Sequence, residues 1–131
     1  MRIFFSVMLS FTIFTTSGLS ASAATAKPKI QLTEVISNGS GSTKSWTLNC
    51  SPVSGTHPNA KAACSQLLKL GIKALSPTPA GYACTQIYGG PEKATLTGTW
   101  SGKKFRSTFS RTDGCQIARW ENLSQLLLLK S

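Results

Sequence analysis

The sequence predicts an α+β domain in which helices pack on an antiparallel sheet and two disulfides close the chain. Three observations predict it. Apolar residues alternate with period two over residues 30–36 and 46–50, repeat with helical period over residues 60–68, and return to period two over residues 95–109, as expected of strands and a helix sharing one core. The chain opens with an export leader. It then carries four Cys, and an even number in an exported chain reads as two disulfides.

The leader covers residues 1–23. Met1-Arg2 is a short basic start, and an apolar run from Ile3 to Phe14 is interrupted only by Ser6, Ser10 and Thr12. Ser20-Ala21-Ser22-Ala23 supplies the small residues that a signal peptidase needs. A membrane span would need about 20 apolar residues, so cleavage after Ala23 is the better reading. Residues 24–29 read as a flexible lead-in, and residues 30–131 as one domain. Its size permits only a modest core, which covalent cross-links help.

Ile30, Leu32 and Ile36 share one side of a first strand, with Gln31, Thr33 and Val35 on the other. The flexible stretch Asn38-Gly39-Ser40-Gly41-Ser42 joins it to a second strand, which turns Trp46, Leu48 and Cys50 one way and Ser45, Thr47 and Asn49 the other. Ala60, Ala63, Cys64, Leu67 and Leu68 then follow helical spacing, with Pro58 suited to the first turn and Gly71 to the stop. Cys64 lies on the apolar face of this helix, and Cys50 is its nearest candidate partner, although three pairings of the four Cys exist on paper.

Pro77, Pro79 and Gly81 mark an irregular, restrained connection. Leu96 and Trp100 share one face of the next strand, and Thr95, Thr97 and Thr99 share the other. Ser101-Gly102 makes a tight hairpin turn, and Phe105 and Phe109 continue the apolar face on the return, with Lys104, Arg106 and Thr108 outward. Thr112-Asp113-Gly114 turns the chain into Cys115, and Ile117, Trp120 and Leu123 suggest a short helix. Leu126 to Leu129 suggests a last buried strand, although a run of four Leu carries no period of its own.

Most enzyme and metal chemistries find no support. His57 is the only His, and neither a nucleophilic Ser in an elbow motif nor a placed Asp113 completes a triad with it. It reads as a turn residue bonding nearby backbone. No Cys pair has zinc-site spacing, the four acids form no catalytic pair, and no phosphate loop is present. Neither a cofactor nor a metal is expected. Fourteen Lys and Arg against four Asp and Glu give a formal net charge of +10. Of these residues only Arg2 goes with the leader. Nucleic acid or an anionic membrane surface would suit such a charge, but the charges are scattered and read better as solubilising. Lys103, Lys104, Arg106 and Arg111 form a basic stripe on the hairpin, yet alternation sends the Trp100 ring to the opposite side, so it offers no stacking surface there. Asn38-Gly39-Ser40 and Asn122-Leu123-Ser124 fit the glycosylation pattern, which is common by chance.

The segment after Cys84 is different. Cys84 pins its start, Gly89-Gly90-Pro91 redirects its end, and Thr85, Gln86, Ile87 and Tyr88 between them suit an extended backbone. An extended loop held at both ends can lie in a protease cleft by strand addition, and its rigidity lowers the ordering cost of binding. On spacing alone this reading stands level with an ordinary connection.

Several motifs together resemble the subtilisin inhibitor-like family of secreted bacterial proteinase inhibitors. They are Leu48-Asn49-Cys50-Ser51-Pro52, Ser54-Gly55-Thr56-His57-Pro58, Ala62-Ala63-Cys64 with Leu67, Cys84-Thr85-Gln86-Ile87-Tyr88, Gly98-Thr99-Trp100-Ser101-Gly102-Lys103, and Phe109-Ser110 leading to Cys115. The resemblance implies a sheet of about five antiparallel strands with two helices on one face, and the pairs Cys50–Cys64 and Cys84–Cys115. It implies a reactive bond between Gln86 and Ile87, with Ala83, Cys84 and Thr85 on the acyl side and Ile87 and Tyr88 on the leaving-group side. The expected partner is an extracellular, subtilisin-like serine protease, with homodimerisation through the sheet and no nucleic acid or membrane partner. The chain would be a secreted inhibitor and not an enzyme. Two rival expectations remain: a non-inhibitory protein of the same fold whose Gln86 serves as a transglutaminase acceptor, and a basic surface-binding module. The chain departs from the family pattern at Gln86, which is neither large and apolar nor basic, in the extra length of Gly89-Gly90, and in its Leu-rich tail.

Overall fold

Alternating side chains pair into four antiparallel strands in a computed structural model that describes residues 26–128 and Gly18. The expected leader lies almost wholly outside the described residues, as do residues 24 and 25. The strands are β1 (Ile30–Ser37), β2 (Thr43–Cys50), β3 (Lys93–Trp100) and β4 (Lys103–Ser110), in the sheet order β2-β1-β3-β4. Opposite Leu32 stand Leu48 on one side and Gly98 on the other. Period two therefore sends Ile30, Leu32, Leu48, Cys50, Ala94, Leu96, Trp100 and Phe109 to one buried face. Gly98 is required at its position because a Cβ there would overlap the Gln31 carbonyl oxygen and lie 2.7 Å from Leu32 Cα. At the β3–β4 turn Ser101 and Gly102 both adopt left-handed backbone (φ 49° and 81°), the geometry that matches a twisted hairpin.

Both helices cover that face. The first, α1 (Ala60–Leu70), buries Ala63, Cys64 and Leu67 and stops at Gly71, whose positive φ of 75° suits Gly and whose N–H donates to the Leu67 carbonyl at 2.8 Å. A single 3-10 turn over Ile72–Leu75 follows, and its Leu75 carbonyl accepts the Ser107 hydroxyl at 2.7 Å. The second, α2 (Gly114–Asn122), is capped by Asp113, whose carboxylate accepts the Gln116 N–H at 3.0 Å. It buries Trp120 against the same core and lays Arg119 over the Phe109 ring, 4.4 Å from its centroid.

Two expectations are corrected. The sheet has four strands among the described residues, not about five, and residues 126–128 form no strand. After α2 the chain coils through turns, with the Leu126 and Leu127 N–H groups bonded to the Leu123 carbonyl at 2.9 and 2.7 Å. This three-to-four spacing buries Leu123, Leu126 and Leu127 together. The carbonyls that a strand would offer to a neighbour are taken by side chains instead: Leu126 by His57 Nε2 at 2.9 Å and Leu127 by the Trp120 indole N–H at 2.9 Å.

A polar pair sits in the core. His57 Nδ1 accepts the Asn59 N–H at 3.0 Å, which places the ring proton on Nε2. That proton is directed to Leu126, so the 3.2 Å approach of Nε2 to Glu34 Oε2 is a polar contact and not an ion pair. Neither Glu34 oxygen has a hydrogen-bond partner among the described residues. Burial pushes the Glu34 carboxyl up to about 8, because a charge is costly to hold in a dry interior.

Candidate functional site

The segment from Cys84 to Pro91 runs over the surface without regular structure, and its neighbour is the turn that leads into α2. Asp113 caps α2 and so fixes where Gly114 and Cys115 stand. Cys115 is bonded to Cys84, with an S–S length of 2.01 Å, and this ties the start of the segment to the first turn of α2. One residue further on, the Thr85 carbonyl accepts the Gly114 N–H at 3.0 Å. Gly114 is small for a reason, since a Cβ there would run into Thr85 Oγ1.

The far end is held by a second set of bonds. The Gly89 N–H donates to the Arg111 carbonyl at 2.7 Å, and Arg111 Nη1 donates to the Gly89 carbonyl at 2.6 Å. Glu92 Oε2 lies 3.5 Å from the same Nη1. A Cβ on Gly89 would sit 2.9 Å from Ile117 Cδ1, so Gly lets the backbone press against α2. Between the two anchors Gln86, Ile87 and Tyr88 make no backbone hydrogen bond among the described residues and are exposed, Ile87 by 60% and Tyr88 by 65%. Large apolar side chains left in water on a braced segment are costly unless a partner covers them.

Residues upstream are also braced. Arg119 Nε donates to the Ser76 carbonyl at 3.1 Å, and Nη1 donates to the Thr108 carbonyl at 3.2 Å, linking the Pro-rich connection to α2 and β4. A groove of about 590 Å³, lined in part by Pro77, Pro79, Tyr82, Ala83 and Cys84, flanks the start of the exposed segment. The second disulfide, Cys50–Cys64, is buried away from this site and joins β2 to α1.

The residues singled out from sequence thus divide clearly. Ala83, Cys84, Thr85, Gln86, Ile87 and Tyr88 form one continuous surface segment. His57 stays in the core, where its turn contact to Asn59 is joined by the unforeseen one to Leu126. The basic stripe is broken up, because Arg111 turns to Gly89 while Lys104 and Arg106 stay on the open side of β4, and Trp100 and Trp120 are both buried. Cys84, Asp113 and Cys115 gather closely enough to suggest a metal site, but both sulfurs are spent in the disulfide and offer no thiolate. Sequence reasoning missed Arg111 as a loop residue and Glu34 as a buried acid.

Fold and site together define a small disulfide-bonded domain that presents an exposed segment held at both ends. A profile of the subtilisin inhibitor-like proteins matches residues 26–112, and the chain belongs to that family. It is 41% identical over 81 residues to the protease inhibitor SIL-V2 of Streptomyces orinoci, a match covering 60% of this chain and 72% of that one. It is 38% identical over 100 residues to a probable subtilase-type protease inhibitor of Streptomyces avermitilis, covering 74% of this chain and 57% of the relative. A solved structure of Streptomyces caespitosus sermetstatin in complex with Bacillus licheniformis subtilisin aligns at TM-score 0.44 and 24% identity, covering 79% of this chain and 99% of that one. These relatives are named as protease inhibitors. Among the described residues no helix is long and apolar enough to cross a membrane.

Proposed function

We propose that the chain is a secreted inhibitor of subtilisin-like serine proteases that offers the Gln86–Ile87 bond as a substrate. The observation that carries this reading is the three-residue exposed run, Gln86 to Tyr88, strung between anchors at Thr85 and Gly89 on one rigid neighbour. Family membership supports inhibition as the function. The exposed backbone, free of regular structure and anchored at both ends, supports docking by strand addition, with the Gln86 side chain in the primary specificity pocket. Ala83, Cys84 and Thr85 would line the acyl side, and Ile87 and Tyr88 the leaving-group side.

Attack by the protease serine on the Gln86 carbonyl would break the Gln86–Ile87 bond, leave Gln86 as an ester on the enzyme and free the Ile87 nitrogen as an amine. Because the frame keeps that amine close, it can return to the ester carbonyl and expel the serine oxygen, which takes back the proton. Proximity of this kind favours religation over hydrolysis. Protease–inhibitor pairs of standard interface size are among the tightest known. The uncovered sheet face, with Thr33, Thr47 and Thr97 outward, is where a second copy would pack in a homodimer.

Titration of subtilisin with the mature protein tests the proposal. A stoichiometric end point is expected, abolished when Gln86→Asp or Gln86→Pro spoils the pocket residue. Rapid digestion without a stable complex refutes it. The exposure of Gln86 also favours a second reading, an acceptor for transglutaminase, which amine incorporation at Gln86 would report.

A further inference from the structure

We infer that Arg111 is a positioning residue that holds the leaving-group side of the reactive loop, so that the cleaved inhibitor religates. The inference rests on the proposed inhibitory function and assigns a part of the frame to a task within it. The two sides of the Gln86–Ile87 bond are held in different ways. On the acyl side, Cys84 is covalently fixed to Cys115, and Thr85 is hydrogen-bonded to Gly114. The leaving-group side has no disulfide, and β3 begins only at Lys93. Once the bond is cut, the chain from Ile87 to Glu92 would be a loose end unless something binds it.

Arg111 is placed to bind it. Its main-chain carbonyl accepts the Gly89 N–H, and its guanidinium donates to the Gly89 carbonyl at 2.6 Å, so one residue grips both polar groups of the same peptide position. A hydrogen bond from a charged donor is stronger than a neutral one. The Arg111 side chain is mostly shielded from water, and the Glu92 carboxylate 3.5 Å away keeps the guanidinium at its post. Gly89 contributes the absence of a Cβ, which would meet Ile117 Cδ1 at 2.9 Å and the Arg111 carbonyl oxygen at 3.3 Å. Gln86, Ile87 and Tyr88 lie upstream of this grip, so the new amine at Ile87 can swing only two residues from a fixed point.

Two measurements test the assignment. Purified intact inhibitor is incubated with catalytic subtilisin until intact and cleaved forms reach equilibrium. Arg111→Ala is expected to move the ratio toward the cleaved form by about 10-fold or more, because the released end at Ile87 then gains backbone freedom that religation must take away again. It should also shorten the lifetime of inhibition, with Arg111→Lys recovering part of both. The second measurement needs no protease: amide exchange at Gly89 in the free protein should rise about 10-fold in Arg111→Ala and fall back in Arg111→Lys, with unfolding midpoints recorded for each. An unchanged ratio and unchanged exchange, while the parent inhibits normally, overturn the role of Arg111 and leave the inhibitory function standing. A parent that forms no complex overturns both, even where exchange shows that the grip exists.

Discussion

Replacing Glu34 by Gln should flatten the pH dependence of stability. In the folded protein burial holds the carboxyl at about 8, against an ordinary value of 4.5. The folded state therefore keeps a proton that the unfolded chain gives up, and ionisation favours unfolding across that interval. Glu34 costs nothing below about pH 4.5, where both states are protonated. Its penalty grows as pH rises toward the folded value and levels off above about 8. One pKa unit corresponds to about 1.4 kcal/mol, so the parent should lose about 3 kcal/mol from this group between pH 5 and pH 8. Gln has the same shape and does not titrate, so seating its amide beside His57 adds no titration of its own. The assay is urea denaturation of the disulfide-intact protein at pH 5, 6, 7 and 8 for parent and variant. The difference in unfolding free energy between the two should slope with pH in favour of Gln as pH rises. A flat difference, or one that slopes the other way, would refute the picture of a neutral acid in the core.

The two disulfides should separate by function more than by stability. Their sequence separations are 14 and 31, for which chain entropy gives about 3 kcal/mol or slightly more in each case. Yet only Cys84→Ala with Cys115→Ala should speed cleavage at Gln86–Ile87, as read by mass spectrometry of the subtilisin digest. Equal cleavage rates in the two double variants would refute the bracing role. Gly98→Ala should cost about 2–4 kcal/mol, because its methyl group meets the Gln31 carbonyl and Leu32 Cα in the adjacent strand. A shift of the urea midpoint checks it, and a wild-type midpoint would mean that β1 and β3 separate more easily than their register implies.

The elements that sequence made readable are those whose partners are near and whose period is unambiguous. Ile30, Leu32, Leu48, Leu96 and Phe109 announce the buried face because polar residues alternate with them. The Leu-rich tail fails this test: four adjacent Leu satisfy every period, and its course is decided by His57 and Trp120, whose side chains take the carbonyls of Leu126 and Leu127. A tail whose carbonyls are taken by side chains has no reason to pair as a fifth strand. Glu34 was open to the same arithmetic as its neighbours, since period two places it inward with Leu32 and Ile36, and an acid at an inward position is a signal in itself. Arg111 carried no such signal. Its part in the loop depends on bonds to a residue 22 positions away, and beside Lys103, Lys104 and Arg106 it reads as one more surface charge. The presented segment is thus legible from Cys84, Gly89 and Pro91, but its rigidity is a tertiary property that no local pattern encodes. Two anchors of different strength hold it, one covalent and one a charged grip on a glycine. If inhibition depends on religation, the weaker anchor sets its lifetime, and the residue that sets it is the one least visible in the sequence.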